Sequence, residues 1–236
     1  MLRYLRQALY TLAAAGSLAG TGWLLCASPW LRYESLTVEG NSRAAVAEVR
    51  HLANLPEKQA LVLLDLDAAV AGVERHPWVR SATARRSFPN EVVISVEERV
   101  PVALVQLGQL YLVDADGTIF AQAHDGDYDH PILTGLPDDL VGAQPEVARR
   151  LVSEGLAWLS AAQEKGGLAE RDLSELRFDR KTGYTLYLRN GGEVLLGFAD
   201  RERVARLASL KAQGLDLSTP HRVDLASQRL AVVTPL

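Results

Sequence analysis

Two kinds of apolar pattern follow one another along the chain. From Ala8 to Leu31 no charged residue occurs, and the most apolar stretch, Ala8 to Ala27, is long enough as a helix to cross the ~30 Å core of a bilayer. From Tyr33 onward the pattern becomes amphipathic. Leu36 and Val38 share one face of a strand that ends at Gly40-Asn41. Asn41 or Ser42 is placed to cap a helix in which Ala45, Val46, Val49, Leu52 and Ala53 form one buried stripe. A second helix starts near Asp65 or Asp67 and carries Leu66, Val70 and Val73 at helical spacing. It must stop at His76-Pro77, because the residue before a proline resists helical geometry. Val79 to Ser87 and Val92 to Glu98 read as strands joined across Phe88-Pro89-Asn90-Glu91, with Val92, Ile94 and Val96 on one face. The predicted unit is β-α-α-β-β, two helices on one face of a three-stranded sheet, with the other face and an edge left open.

Beyond Pro101-Val102 short alternating runs dominate. Leu104 to Leu107, Tyr111 to Val113 and Thr118 to Phe120 are predicted strands, with Asp114-Ala115-Asp116-Gly117 turning between the last two. After a polar loop, Pro145 and Glu146 open a helix that places Ala148, Leu151, Val152, Gly155 and Leu159 on one face and ends at Gly166-Gly167. Alternation at Leu186 and Leu188, then at Val194 and Leu196, about Asn190-Gly191 signals a hairpin. A helix from Asp200 to about Gln213 follows, then two strands, Arg222 to Leu225 and Leu230 to Val233. The fold class is α+β. A cytoplasmic tail (1–7) and a transmembrane helix (8–31) precede a β-α-α-β-β domain (32–101) and a mixed or antiparallel sheet domain with two helices (102–236).

Charge sets the orientation. Arg3 and Arg6 precede the apolar run, so the positive-inside rule puts the N-terminus in the cytoplasm and everything after Leu31 outside. Trp23 and Trp30, with Tyr4 and Tyr10 at the other end, suit interfacial belts. A cleaved signal peptide is the competing reading, but its apolar region spans only about 7 to 15 residues. Length therefore favours a retained anchor. Gly16 and Gly20 form a GxxxG suited to packing against another helix, including that of a second copy, although small residues are also frequent in an Ala-rich span. The net charge is −4, and with two arginines and no acid before Arg32 the exported part is more acidic still, which argues against nucleic acid. Cys26, the single cysteine, lies in the apolar run. The folded part thus relies on packing rather than on disulfides.

Catalytic chemistry finds little support. His124, Asp125, Asp127, Asp129 and His130 are residue types that ligate metals, and their spacing begins like a calcium loop. His130, however, stands where the tight turn requires Gly, and Leu136 where a bidentate Glu is needed. An Asp-rich surface loop is the plainer reading. No GxSxG elbow, HExxH helix or P-loop occurs, and no cofactor is implied. His76 is expected as a surface cap and Trp78 as a core plug. A non-catalytic binding module is the leading expectation. A membrane-anchored envelope hydrolase or metal-dependent enzyme using the loop 124–130 is one alternative, and a receptor in secretion or outer-membrane assembly is another.

Four stretches carry a family resemblance: Leu36-Thr37-Val38-Glu39-Gly40-Asn41, His76-Pro77-Trp78-Val79, Phe88-Pro89-Asn90-Glu91, and Glu97 through Ala103. In order and spacing they resemble the membrane-proximal POTRA domain of the FtsQ/DivIB family of bacterial cell-division proteins. Tyr111 through Gly117 and Val223-Asp224-Leu225 resemble landmarks of that family's second domain. The resemblance implies a scaffold of the divisome at the septum, held in the inner membrane with its C-terminal domains in the periplasm. It implies binding to the FtsB/FtsL pair of coiled-coil membrane proteins and to other division proteins. It further implies that the last strand accepts a partner strand, here over Ser227, Gln228, Arg229, Leu230, Ala231, Val232, Val233 and Thr234. Ser227 and Thr234 stand roughly where well-known members carry Tyr and Trp. Arg180 and Lys181 resemble a basic contact for an acidic partner helix, with solvated charges as the alternative. Family apart, a terminal strand is often an edge strand whose unpaired backbone can accept another chain. The competing reading has Leu230 to Val233 closing the core from an inner position.

Overall fold

The computed structural model describes Tyr10, Leu12, Ala13, Gly16, Ser17, Gly20 and residues 29–236 apart from 199, 228 and 229. Most of the predicted membrane span, with the tail before it, lies outside the described residues. Among the described residues no helix is long and apolar enough to cross a membrane. Gly16 and Gly20 are both helical, and among the described residues no atom lies within 4 Å of the place a Cβ would take on either. The chain divides into two compact units, Met1–Arg99 and Val100–Leu236.

The first unit runs β1 (Ser35–Glu39), α1 (Val46–Ala53), α2 (Leu66–Val73), β2 (Val79–Ser87) and β3 (Glu91–Glu98). β3 is central, parallel to β1 and antiparallel to β2. Alternation decides the faces: Leu36, Ala82, Val92, Ile94 and Val96 meet Val49, Ala53, Ala69 and Val73 in one core. The opposite face is polar apart from Val93, which lies buried between Thr37 and Arg85. There Thr37 donates to Glu91 (2.6 Å), Ser81 to Glu97 (2.8 Å), and Arg85 lies 3.5 Å from Glu39. The helices approach closely because residue 72 is a glycine; a Cβ on it would sit 2.2 Å from the carbonyl oxygen of Leu52.

The two helices begin differently. Asp65 caps α2 as expected, accepting from the Ala68 N–H at 2.9 Å. Helix α1 starts at Val46 with no side-chain cap, so neither Asn41 nor Ser42 serves as predicted. Asn41 donates instead to the Ala44 carbonyl (3.0 Å). Glu98, at the end of β3, accepts from the N–H groups of Ser42 (2.7 Å), Arg43 (2.8 Å) and Ala44 (2.7 Å). Burial alone would raise the Glu98 pKa, but the three backbone donors and neighbouring His76 outweigh it and hold the carboxyl below its usual range. His76 is no surface cap. It is 8% exposed, its Nε2 lies 2.9 Å from Glu48 Oε2, and its Nδ1 accepts from the Trp78 N–H at 3.2 Å. Trp78 flanks the core half-buried, with the Arg43 guanidinium 4.9 Å from its ring centroid.

The second unit contains β4 (Pro101–Leu107), β5 (Gln109–Asp114), β6 (Ile119–Gln122), β7 (Ile132–Thr134), α3 (Leu140–Ala143) and α4 (Pro145–Glu164). It continues with β8 (Leu173–Asp179), β9 (Gly183–Leu188), β10 (Glu193–Gly197), α5 (Ala205–Ala212), β11 (His221–Asp224) and β12 (Val232–Pro235). Among the described residues these strands form one nine-stranded sheet in the order β12-β11-β10-β9-β8-β7-β4-β5-β6. The sheet is mixed: β4/β7, β7/β8 and β10/β11 pair in parallel, and the other neighbours are antiparallel. The registers line up Val105, Leu133, Leu176, Leu186, Val194 and Val223 as one row across it, none more than 4% exposed. Val152, Trp158, Leu159 and Ala162 of α4 and Leu207 of α5 belong to the same core. That row positions the site.

Candidate docking edge

The next residue in the buried row is Val233, opposite Val223, and it is 37% exposed. β12 pairs with β11 on one side, and among the described residues no strand pairs with its other side. The last strand is therefore an edge, not an inner strand closing the core. It runs Val232–Pro235 rather than from Leu230 to Val233. Leu230 (68% exposed) precedes it, Ala231 packs partly against the core, and Val232 (55%) is exposed, as are Thr234 and Pro235. Proline lacks the N–H a ladder needs, and its place at the end of an edge strand satisfies that restriction. Gln228 and Arg229 of the predicted site lie outside the described residues.

The chain leading into β12 is held from below. Leu225, fully buried, donates its N–H to the Leu195 carbonyl at 2.8 Å. The Ala226 N–H donates to Asp224 Oδ1 (2.9 Å). Two arginines of the neighbouring helical segment then grip the carbonyls: Arg203 donates to Ala226 O and Arg206 to Ser227 O, each at 2.9 Å. That segment is capped by Asp200, which accepts from the Glu202 N–H at 3.2 Å. Arg222 of β11 is paired with Glu193 of β10, and this contact raises the arginine pKa and ties the two strands together. Sequence reasoning missed Arg203 and Arg206. Their spacing of three places them on one helical face, which was the available signal.

Arg180 and Lys181 occupy the exposed turn between β8 and β9. Asp179 shapes this turn by accepting from the N–H of Thr182 (2.9 Å), the N–H of Lys181 (2.7 Å) and the Thr182 hydroxyl (3.1 Å), contacts that lower its pKa. Through the registers Gly183↔Asp179, Tyr184↔Gly197, Leu195↔Asp224 and Asp224↔Val232, the turn lies at the same end of the sheet as the start of β12. Three strand spacings, about 14 Å, separate β9 from β12. Arg180 also lines a cleft of about 300 Å³ with Leu136, Val147, Leu151 and Phe178. The basic turn and the terminal edge thus share one end of one sheet.

The Asp/His loop does other work. Asp127 is buried at 6% exposure and accepts from the His124 N–H at 3.0 Å, His124 Nδ1 lies 2.9 Å from Gln122 O, and His130 Nδ1 lies 3.3 Å from Glu170. Among the described residues no group of three or more His, Cys, Asp or Glu side chains is placed to hold a metal ion. Asp114, in the other Asp-rich turn, accepts from the N–H groups of Asp116 (3.0 Å) and Thr118 (2.8 Å).

Comparison with known proteins gives the same division. Residues 31–99 match the FtsQ-type POTRA domain, and residues 103–226 match the C-terminal domain of the cell division protein FtsQ/DivIB. The chain is 36% identical to a cell division protein FtsQ of Anaeromyxobacter sp. (strain K), covering 93% of this chain and 79% of that protein. It is 36% identical to that of Myxococcus fulvus, over 84% and 70% respectively, and 28% identical to that of Streptomyces bingchenggensis, over 97% and 86%. A POTRA unit followed by a mixed sheet with helices, both matched in order along the chain, places this protein in the FtsQ/DivIB family of cell-division proteins.

Proposed function

We propose that this protein is a non-catalytic scaffold of the bacterial divisome that binds small coiled-coil membrane proteins of the FtsB/FtsL type through the outer edge of β12. The observation that carries this reading is the buried row ending on half-exposed Val233 at an edge with no further strand among the described residues. An added strand would extend the row, cover Val233 and Leu230, and satisfy the backbone groups on the outer side of β12. Arg180 and Lys181 stand at the same end of the sheet, suited to an acidic segment continuing from the added strand. The family match to an FtsQ-type POTRA domain favours division over secretion or outer-membrane assembly.

The uncharged run from Ala8 to Leu31, with Arg3 and Arg6 before it, supports a single inner-membrane anchor with the N-terminus cytoplasmic and both units periplasmic. Gly16 and Gly20 then face lipid or a neighbouring span. The test is capture of cognate FtsB/FtsL-type proteins from membranes by the full chain, by Val232→Glu and by a version ending at Ser227. Val232 is 55% exposed, so a charge there leaves the fold intact while disfavouring a desolvated strand contact. Both variants are expected to lose the partners while retaining cooperative unfolding. A folded Val232→Glu protein and a folded truncated chain that both retrieve partners normally would refute docking at β12.

A further inference from the structure

The end of the POTRA unit at which the chain emerges from its apolar N-terminal run carries an apolar rim. Among the described residues of 29–99 the exposed large apolar side chains are Trp30 (83%), Val46 (43%), Val62 (43%), Leu63 (61%) and Phe88 (63%). All but Val46 belong to three segments that the backbone stitches together. Arg32 forms an antiparallel bridge with Ala60, and the Tyr33 N–H donates to Gln59 O at 2.8 Å. Arg86 donates to the carbonyls of Leu61 (2.9 Å) and Leu64 (2.6 Å), fixing the short helical turn whose outer residues are Val62 and Leu63. The Glu34 N–H donates to Asn90 O (2.9 Å), which fastens the Phe88-Pro89 turn beside the start of β1. Leu61 and Leu64, on either side of that pair, are buried. Val62 and Leu63 are thus the outward residues of a turn whose flanking positions are the inward ones.

We propose that Trp30, Val62, Leu63 and Phe88 form a surface that rests in the lipid headgroup layer, so that the POTRA unit is seated on the membrane rather than tethered above it. The proposal rests on the anchor reading given above. Distance selects lipid as the occupant. The apolar run ends at Leu31, and Ala60 is bridged to the very next residue, so Ala60 lies within roughly 10 Å of the end of the run. Trp30 lies within the run itself, and the bridge holds Ala60 at a distance from the end of the run comparable to the roughly 5–8 Å depth of the interfacial layer, so a rim stitched to that exit is placed beside the layer. Composition agrees: Trp and Phe with Leu and Val is the chemistry of interfacial anchoring, and the exposed charges beside them, Arg32 and Lys58 with Glu34 and Glu57, are of both signs. Val46, exposed at the start of α1 and outside these three segments, serves as a control.

The test uses the full chain carrying Cys26→Ser and one new cysteine, Leu63→Cys, Phe88→Cys or Val46→Cys. Each is labelled with an environment-sensitive fluorophore and reconstituted in phosphatidylcholine/phosphatidylglycerol vesicles with or without headgroup-region nitroxide lipid. Blue-shifted emission and at least twofold quenching at 63 and 88, with neither at 46, is the expected result. Carbonate-resistant protein with equal, weak quenching at all three positions overturns the seated rim and leaves the anchor standing, the outcome expected if the rim binds a protein or faces water. Protein stripped from the vesicles by carbonate overturns the anchor and the rim together.

Discussion

At the scale of single residues, Glu98 shows how a fold can supply locally what the local sequence lacks. Ser42, Arg43 and Ala44 present three N–H groups in a turn before α1, and a carboxylate 54 to 56 positions away accepts them. Replacing Glu98 by Gln keeps the shape but removes the charge that makes these contacts short and strong. Because the group is half-exposed, we expect a loss of about 1 kcal/mol, the lower end of what such bonds contribute. The measurement is hydrogen exchange: amides of Ser42 to Ala44 should exchange several-fold faster in Glu98→Gln, with β2 and β3 unchanged. The pH dependence has a definite sign. A carboxyl held below its ordinary value of 4.5 contributes stability that is complete above that value and disappears as pH falls through the lower, folded-state value. Protection of the same amides should therefore fall in that acid range in the wild type and stay flat there in the variant.

At the scale of elements, the helices and strands of the POTRA unit were readable because each has one buried face and a clear stop. His76-Pro77 ends the α2 region, and Val92, Ile94 and Val96 share one face of β3. β7 and β8 were not readable. Ile132–Thr134 has only three residues, too few for periodicity to register, and β8 shifts register between Leu173 and Glu175, which breaks its alternation. The start of α1 was misread because Asn41 and Ser42 are good caps in isolation, and only the distant Glu98 makes a cap unnecessary. Close packing of elements yields a sharp expectation. Gly72→Ala would drive a methyl group to 2.2 Å from the Leu52 carbonyl, forcing α1 and α2 apart. Overpacking of this kind costs about 1–3 kcal/mol. Gly142→Ala, in α3 with no atom within 4 Å, is the matched control and should leave the denaturant midpoint unchanged or slightly raised. Equal midpoints for the two variants would show that the helices yield without cost.

At the scale of the whole molecule, the proposed docking edge depends on residues that no strand pattern reveals. The sequence locates a terminal strand and a basic pair, but not that both lie at one end of a single sheet, since that follows from the parallel pairings β7/β8 and β10/β11 and from crossovers through helices. Nor does it identify Arg203 and Arg206, whose partners are backbone carbonyls of Ala226 and Ser227. Their position suggests how the edge is kept ready. β12 contributes only four residues, all exposed, and among the described residues pairs on one side, so its own contacts hold it weakly. Two hydrogen bonds from charged donors at its base restrict the chain before any partner arrives, and ordering done in advance is not subtracted from binding. Replacing both arginines by Ala should raise hydrogen exchange across residues 226–235 while leaving β9 and β10 protected. Partner affinity should fall roughly tenfold, equivalent to about 1.4 kcal/mol, chiefly through slower association if the strand must now order during binding. Arg222→Ala, which breaks the pairing with Glu193 one strand inward, should show the opposite balance: a smaller change in exchange at 226–235 and a measurable loss of protection in β11. If the double variant binds its partner with unchanged affinity despite faster exchange, readiness of the edge is irrelevant to docking and the arginines serve the fold alone.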